Sequence, residues 1–431
     1  MMVKIFGVTI LALLNWGGTG EPLVGQEVAW QEAKVFAVPT QGDPTIDKII
    51  DNYLDRLESL GYERQRQGIW LQSEWAYLGY NQGESAFPAA SLTKIATSVA
   101  ALDKWEPNHR FITRFYTDGP IRNGVLQGNL FIAGDNDPLF VWEEAIAVGN
   151  ALNRLGIREV TGDLVVVGNF AMNFKADPAI AGALFTQAVD ASQWSAMVDK
   201  AFRDLPPDTP RPAVKIAGAV KAQAVLPPNL EPLLEHQSLP LAALLKQMNI
   251  YSNNDMAEML AQAMGGAAIV AQTTSRLGVI PAAEIQLQNG SGLGVDNRLS
   301  PRAVTKMYQV LAQQLQPHGL GIDDIFPVMG RDRRGTLEWR SMPQGLTVKT
   351  GTLNTVSALA GIIPTQERGI VWFTIINNGP NFDRLRVEQD RLLQQIAEHW
   401  QVLPETLNAG PMDKVLLGDP ARNLTPQSSE S

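Results

Sequence analysis

The 431-residue chain contains no cysteine, which excludes thiol nucleophiles and disulfides together. It has four histidines, scattered at His109, His236, His318 and His399, with no His-Glu-x-x-His and no zinc-ligand spacing. No metal or other cofactor is therefore expected. Charged residues are sparse at 18%, and the net charge is −9. That balance gives no general attraction to nucleic acid and no polybasic face for anionic lipid. Long apolar runs are missing as well. The longest near the start, Ile5 to Leu14, is too short to cross a bilayer, which needs about 20 apolar residues. It follows Lys4 and precedes the small residues Gly17-Gly18-Thr19-Gly20, so residues 1–20 are expected to be a secretory signal, although no A-x-A site is present. The expected destination is the periplasm or the outer face of the cytoplasmic membrane.

What the chain does have is apolar residues, 45% of the total, enough for a sizeable core. Ile46, Ile49, Ile50, Tyr53, Leu54, Leu57 and Leu60 recur at helical spacing, which predicts a helix over 45–60 closed by Gly61. Strands are expected over 68–73 and 74–78, and a nearly uncharged helix over 91–102. From 104 to 237 short strand-like runs alternate with Gly- and Asn-rich turns around a helix at 142–155, which reads as an inserted domain. Helices follow at 241–247 and 255–264. Another begins at Ser300-Pro301, an N-cap and first-turn pair. Three strands are expected at 346–351, 357–363 and 370–377, the last two joined by a short turn and so antiparallel. A helix over 382–400 closes the pattern, and residues 404–431 read as a flexible tail.

Three short motifs carry chemistry. In Ser91-Leu92-Thr93-Lys94 the spacing of three puts both polar side chains on one helical face. Lys94 is the only charge in an apolar stretch, so burial should lower its pKa toward a usable general base for Ser91. Alone, the motif is better described as a buried helix whose lysine reaches outward. Ser252-Asn253-Asn254 places a hydroxyl and a carboxamide two residues apart on a loop, suited to proton relay and amide binding. It also describes a helix N-cap cluster. Lys349-Thr350-Gly351-Thr352 offers a cation and a hydroxyl for a carboxylate, and a glycine that admits close backbone approach. The Thr352 N–H can join that of Ser91 as an oxyanion hole. An exposed edge strand with a turn-prone glycine is the plain alternative.

In this order the motifs form the signature of the penicillin-binding proteins and serine β-lactamases. The chain resembles the class C low-molecular-mass penicillin-binding proteins, which are D-alanyl-D-alanine carboxypeptidases and endopeptidases. Gly128-Asn129-Leu130, Asp137-Pro138-Leu139, Asn289-Gly290-Ser291-Gly292-Leu293 and Gly330-Arg331-Asp332 extend the match. Asn289 and Gly294 depart from the family's Asp and Ser, and the insertion is shorter than in larger members.

The resemblance implies an α/β (α+β) fold: an antiparallel sheet flanked by helices, of the serine β-lactamase/DD-peptidase kind. A smaller domain is inserted between the first two motifs. Residues 40–103 and 238–403 would form the penicillin-binding domain and 104–237 the insertion. The implied activity is a serine-type D-Ala-D-Ala carboxypeptidase, with endopeptidase action on cross-links a further expectation. Its partners would be peptidoglycan stem peptides and β-lactam inhibitors. The site set is Ser91, Lys94, Ser252 and Asn254 for catalysis, with Lys349, Thr350, Gly351 and Thr352 for substrate. A β-lactamase or esterase on the same fold is the near alternative, though no dedicated carboxylate base is visible near the motifs. A non-catalytic wall-binding homologue is the distant one.

Overall fold

The computed structural model describes residues 42–74, 76–332, 334–403 and 410–426. The expected signal at 1–20 lies outside them. The first helix, Pro44–Ser59, starts where Asp43 caps the Thr45 and Ile46 amides and Pro44 presets the first turn. Its apolar stripe of Ile46, Ile50, Tyr53, Leu54 and Leu57 is buried. It packs with the last long helix, Phe382–Trp400, against one face of a five-stranded sheet.

That sheet is antiparallel throughout. Its order is Thr347–Leu353, Val356–Thr365, Gly369–Asn378, Gln67–Ser73, Tyr77–Asn81. Residues from both ends of the chain therefore meet at its centre. Both faces are covered, so Val356–Thr365 is buried at every position rather than alternately. Leu359, Ile363, Phe373 and Ile375 face the first and last helices. Ala358, Ala360, Ile362 and Ile376 face the helices Thr93–Lys104 and Pro301–Leu315 on the other side. Ser300 caps the latter helix, as its sequence predicts. The strand expected at 74–78 lies instead at Tyr77–Asn81, because Ser73 and Ala76 bond to each other in a turn.

Between the first two motifs the chain builds five strands of a mixed sheet with its own apolar cluster around Phe115, Ile132, Phe140, Leu164 and Phe185. Leu130–Asp135 and Leu164–Asn169 pair parallel, with helices Trp142–Arg154 and Pro178–Val189 in the connections around them. The expectation of a loose tail after Pro404 fails for residues 410–426. Asn423–Leu424 adds an edge strand to this sheet. Arg422 is buried and paired with both oxygens of Glu144 at 2.5 and 2.7 Å. A charge so buried holds its segment in place, because leaving the pair would strand Glu144.

Candidate active site

Ser91 does not lie inside the helix expected at 91–102. It sits in a tight turn, Ala90–Leu92, from which the helix Thr93–Lys104 continues. Ala90 holds a left-handed φ of +49°, which costs a non-glycine residue about 1–2 kcal/mol. The surroundings enforce it. Gly292, at φ +82°, lies so close that a Cβ there would be 1.9 Å from the Ala90 carbonyl oxygen. On the other side, a Cβ on Gly351 would be 3.0 Å from the Ser91 amide nitrogen. The turn is thus clamped between two glycines, with its N–H against the edge strand.

The direction of that strand's amides follows from alternation. The Val348 N–H donates outward to the Pro327 carbonyl at 3.0 Å. With a period of two, the N–H groups of Thr350 and Thr352 point out along the same edge. That edge is the one beside Ser91, and beyond Val348 no strand pairs with it among the described residues. The Thr352 amide therefore opens onto the gap beside Ser91.

Lys94 is fully buried, and its Nζ has three partners: Ser91 Oγ at 3.0 Å, Asn254 Oδ1 at 2.7 Å and the Ser291 carbonyl at 2.7 Å. Burial pushes its pKa down to about 7, against the opposing pull of the Glu258 carboxylate. Two of the three partners can only accept. A neutral amine therefore gives its two N–H groups to Asn254 and Ser291 and turns its lone pair toward the Ser91 hydroxyl.

The second motif divides its work. Asn253 caps the helix Asn254–Met264 by accepting the Met256 amide at 2.9 Å. The capping alternative is thus true of Asn253 alone. Ser252, left-handed at φ +53°, ends the preceding helix Leu241–Tyr251. Its hydroxyl accepts from Lys349 Nζ at 2.9 Å. Lys349 is buried and also donates to the Thr350 carbonyl at 2.8 Å. Burial, and then the neighbouring Lys94, hold its pKa well below the usual lysine range.

All eight residues singled out from the sequence thus gather at one place, joined through Ser91, Lys94, Ser252 and Lys349. Asp137, by contrast, accepts the Leu139 amide at 2.9 Å, a turn role at Pro138.

Three contributors were not singled out. The Ser291 carbonyl fixes Lys94. The Glu258 oxygens accept the Gly290 and Ser291 amides at 3.1 and 3.0 Å and so hold that carbonyl in place. Arg386, from the last helix, donates to Thr352 Oγ1 at 2.8 Å. Only Glu258 left a local signal: it follows Asn254 by four, on the same helical face.

Comparison with known proteins follows the same lines. The profile of the D-Ala-D-Ala carboxypeptidase 3 (S13) family matches residues 70–202 and 179–398. Carboxypeptidase Rv3627c of Mycobacterium tuberculosis is 29% identical over 338 residues, covering 68% of this chain and 72% of that protein. D-alanyl-D-alanine carboxypeptidase DacB of Haemophilus influenzae is 23% identical over 397 residues, covering 70% and 82%. Bd3459, a predatory peptidoglycan endopeptidase from Bdellovibrio bacteriovorus, superposes with a TM-score of 0.67 at 20% identity, over 84% of this chain and 99% of its own. The penicillin G-acylated form of that enzyme gives 0.66 at 24% identity, over 78% and 91%.

Proposed function

Since the chain belongs to the D-Ala-D-Ala carboxypeptidase 3 (S13) family, we propose that it hydrolyses the D-alanyl-D-alanine end of peptidoglycan stem peptides through an acyl-enzyme on Ser91. The observation that carries this reading is the hydrogen bond of the buried Lys94 amine to the Ser91 hydroxyl, with a pKa near 7. Near neutral pH a large share of that amine is uncharged and can take the hydroxyl proton.

The steps balance as acyl transfer. The Ser91 proton passes to Lys94 as Oγ bonds to the carbonyl carbon of the penultimate D-alanine. The oxyanion forms in the gap served by the Ser91 and Thr352 amides. As the C–N bond breaks, Ser252 hands its proton to the leaving amine and is resupplied by Lys349 Nζ, 2.9 Å away. The terminal carboxylate lies against Lys349 and Thr350. Its charge offsets the burial that otherwise disfavours the ammonium. The proton that Lys94 took replaces the one Lys349 gave up, so Lys94 is neutral again when water attacks the ester; it takes the water's proton and returns it to Ser91 Oγ as the ester C–O bond breaks.

A β-lactam enters the same path and stalls as the ester. Cutting of peptide cross-links is the same chemistry with a longer leaving group, and the fold likeness to a peptidoglycan endopeptidase supports it. Export to the periplasm or the outer face of the cytoplasmic membrane, with residues 1–20 as signal, belongs to this reading because the substrate lies there. So do the discontinuous catalytic domain, 40–103 with 238–403, and the inserted domain at 104–237.

Mass spectrometry of the intact protein after exposure to benzylpenicillin tests the proposal. One penicilloyl adduct is expected on the native chain and none on Ser91→Ala. An adduct of undiminished yield on that variant removes Ser91 from the role. An adduct lost within seconds favours a β-lactamase.

A further inference from the structure

The reaction leaves unused an aromatic groove at the opposite edge of the five-stranded sheet. Trp70 lies on Gln67–Ser73, and Tyr77 and Tyr80 lie on the edge strand beside it. On a regular strand, residues three apart face opposite sides. Here the pairing shifts between Leu71 and Gln72: Trp70 pairs with Tyr80, and Gln72 with Tyr77. The irregularity brings both tyrosines to the face of Trp70. The ring centroids are 5.4 Å (Trp70–Tyr77), 6.0 Å (Trp70–Tyr80) and 5.6 Å (Tyr77–Tyr80) apart. Tyr80 remains 56% exposed.

The following turn closes a groove of about 450 Å³ and brings Gln82, Glu84 and Ser85 to its rim. Gly83 lies flat on the indole, where a Cβ would come within 2.4 Å of Cε3. The lining is thus aromatic at the base and polar at the rim. That suits a ligand with apolar ring faces and hydrogen-bonding edges.

The register relates this groove to the candidate active site. Tyr80, Trp70, Thr374, Ala360 and Lys349 pair in one row across all five strands, so they share a face. The helix Pro301–Leu315 covers the middle of that row, through Thr305 to Thr374 at 3.0 Å and Tyr308 to the Ala360 carbonyl at 3.1 Å. Its two ends lie on either flank of the helix. Four strand spacings separate Lys349 from Tyr80, about 19 Å. An extended pentapeptide spans about 17 Å, short of that distance even without rounding the helix, so the groove and the site engage different repeats of a polymeric substrate.

We propose that the Trp70–Tyr77–Tyr80 groove binds the glycan strand of peptidoglycan, an amino-sugar polymer, and holds it while a stem peptide borne further along the strand enters the site at Ser91. The choice of polymer rests on the DD-peptidase reading. Sugar rings stack on the aromatic faces, and their hydroxyl and acetamido groups meet Gln82, Glu84 and Ser85.

Peptide-free glycan strands, prepared with an amidase, provide the probe, titrated calorimetrically into the full chain with benzylpenicillin acylation followed in the same preparations. Saturable binding is expected for the native chain and for Ser91→Ala. Tyr80→Ala, at an exposed position, should bind about tenfold more weakly while melting at the native temperature. No binding by the native chain, or equal binding by Tyr80→Ala, overturns the inference. So does a native dimer that Tyr80→Ala dissociates, which would make this face a contact between copies. Strand binding that depends on Tyr80 without acylation sustains the glycan site and removes the DD-peptidase reading instead.

Discussion

Replacing Glu258 by glutamine separates charge from geometry at the Lys94 amine. Glu258 does two things: it holds the Gly290 and Ser291 amides, and its charge opposes the burial that lowers the Lys94 pKa. Glutamine keeps one acceptor oxygen, loses the charge, and turns an NH2 toward whichever of the two amides the oxygen does not serve. Weaker support for the Ser291 carbonyl should slow acylation by a factor that does not depend on pH, at least about tenfold for one charge-assisted hydrogen bond lost and the other made neutral. The lost charge acts differently. With a midpoint of about 7, about one Lys94 in eleven is neutral at pH 6. A fall of one unit, about 1.4 kcal/mol, raises that share to about one half. At pH 9 the amine is neutral in both proteins. The ratio of variant to native acylation rate should therefore rise about fivefold between pH 9 and pH 6 for a fall of one unit, and by about elevenfold at most. Second-order acylation by a chromogenic β-lactam, measured from pH 5.5 to 9, reads this ratio. A ratio constant with pH, or one that falls on acidification, refutes the electrostatic part. No change at any pH refutes both.

Two further substitutions test the energetics. Lys94→Met should abolish acylation yet leave the protein at least as heat-stable at pH 6. Native Lys94 binds its proton less tightly, at about 7, than the ordinary 10.5 of an unfolded chain, so its burial costs up to about 5 kcal/mol below pH 7. Unpaired Asn254 and Ser291 oxygens offset part of that gain, by about 1–3 kcal/mol each. Because the unfolded chain holds the extra proton between pH 7 and 10.5, native stability rises with pH there. The variant's advantage in melting temperature should shrink from pH 6 to 9, and a constant difference would contradict the assigned cause. Arg422→Met should cost about 3–5 kcal/mol by leaving Glu144 buried without its cation. A denaturant midpoint equal to that of the native chain would show the C-terminal segment to be loose after all.

Local chemistry is what the sequence displays, and the site was legible to that extent. The three motifs are short runs whose side chains act near where they are written. Helix starts such as Ser300-Pro301 and hairpins such as 366–369 are likewise set by residues within a turn of themselves. The strand shift to Tyr77–Asn81 escaped because it depends on a two-partner turn, Ser73 with Ala76, in a stretch of ordinary strand formers.

The residue order therefore determined the reaction class and the antiparallel sheet, and it carries the motifs from which the nucleophile and the insertion are proposed. Only the tertiary structure decided what secures them. The Ser291 oxygen is a backbone carbonyl, and no side-chain type announces it. Gly292 and Gly351 matter because backbone from elsewhere approaches them within a methyl radius. Arg422 and Glu144 meet across 278 residues, and two charges that far apart in the chain look like ordinary surface polarity until they are folded together. Such features arise from contacts between distant segments, and periodicity carries information only about near neighbours.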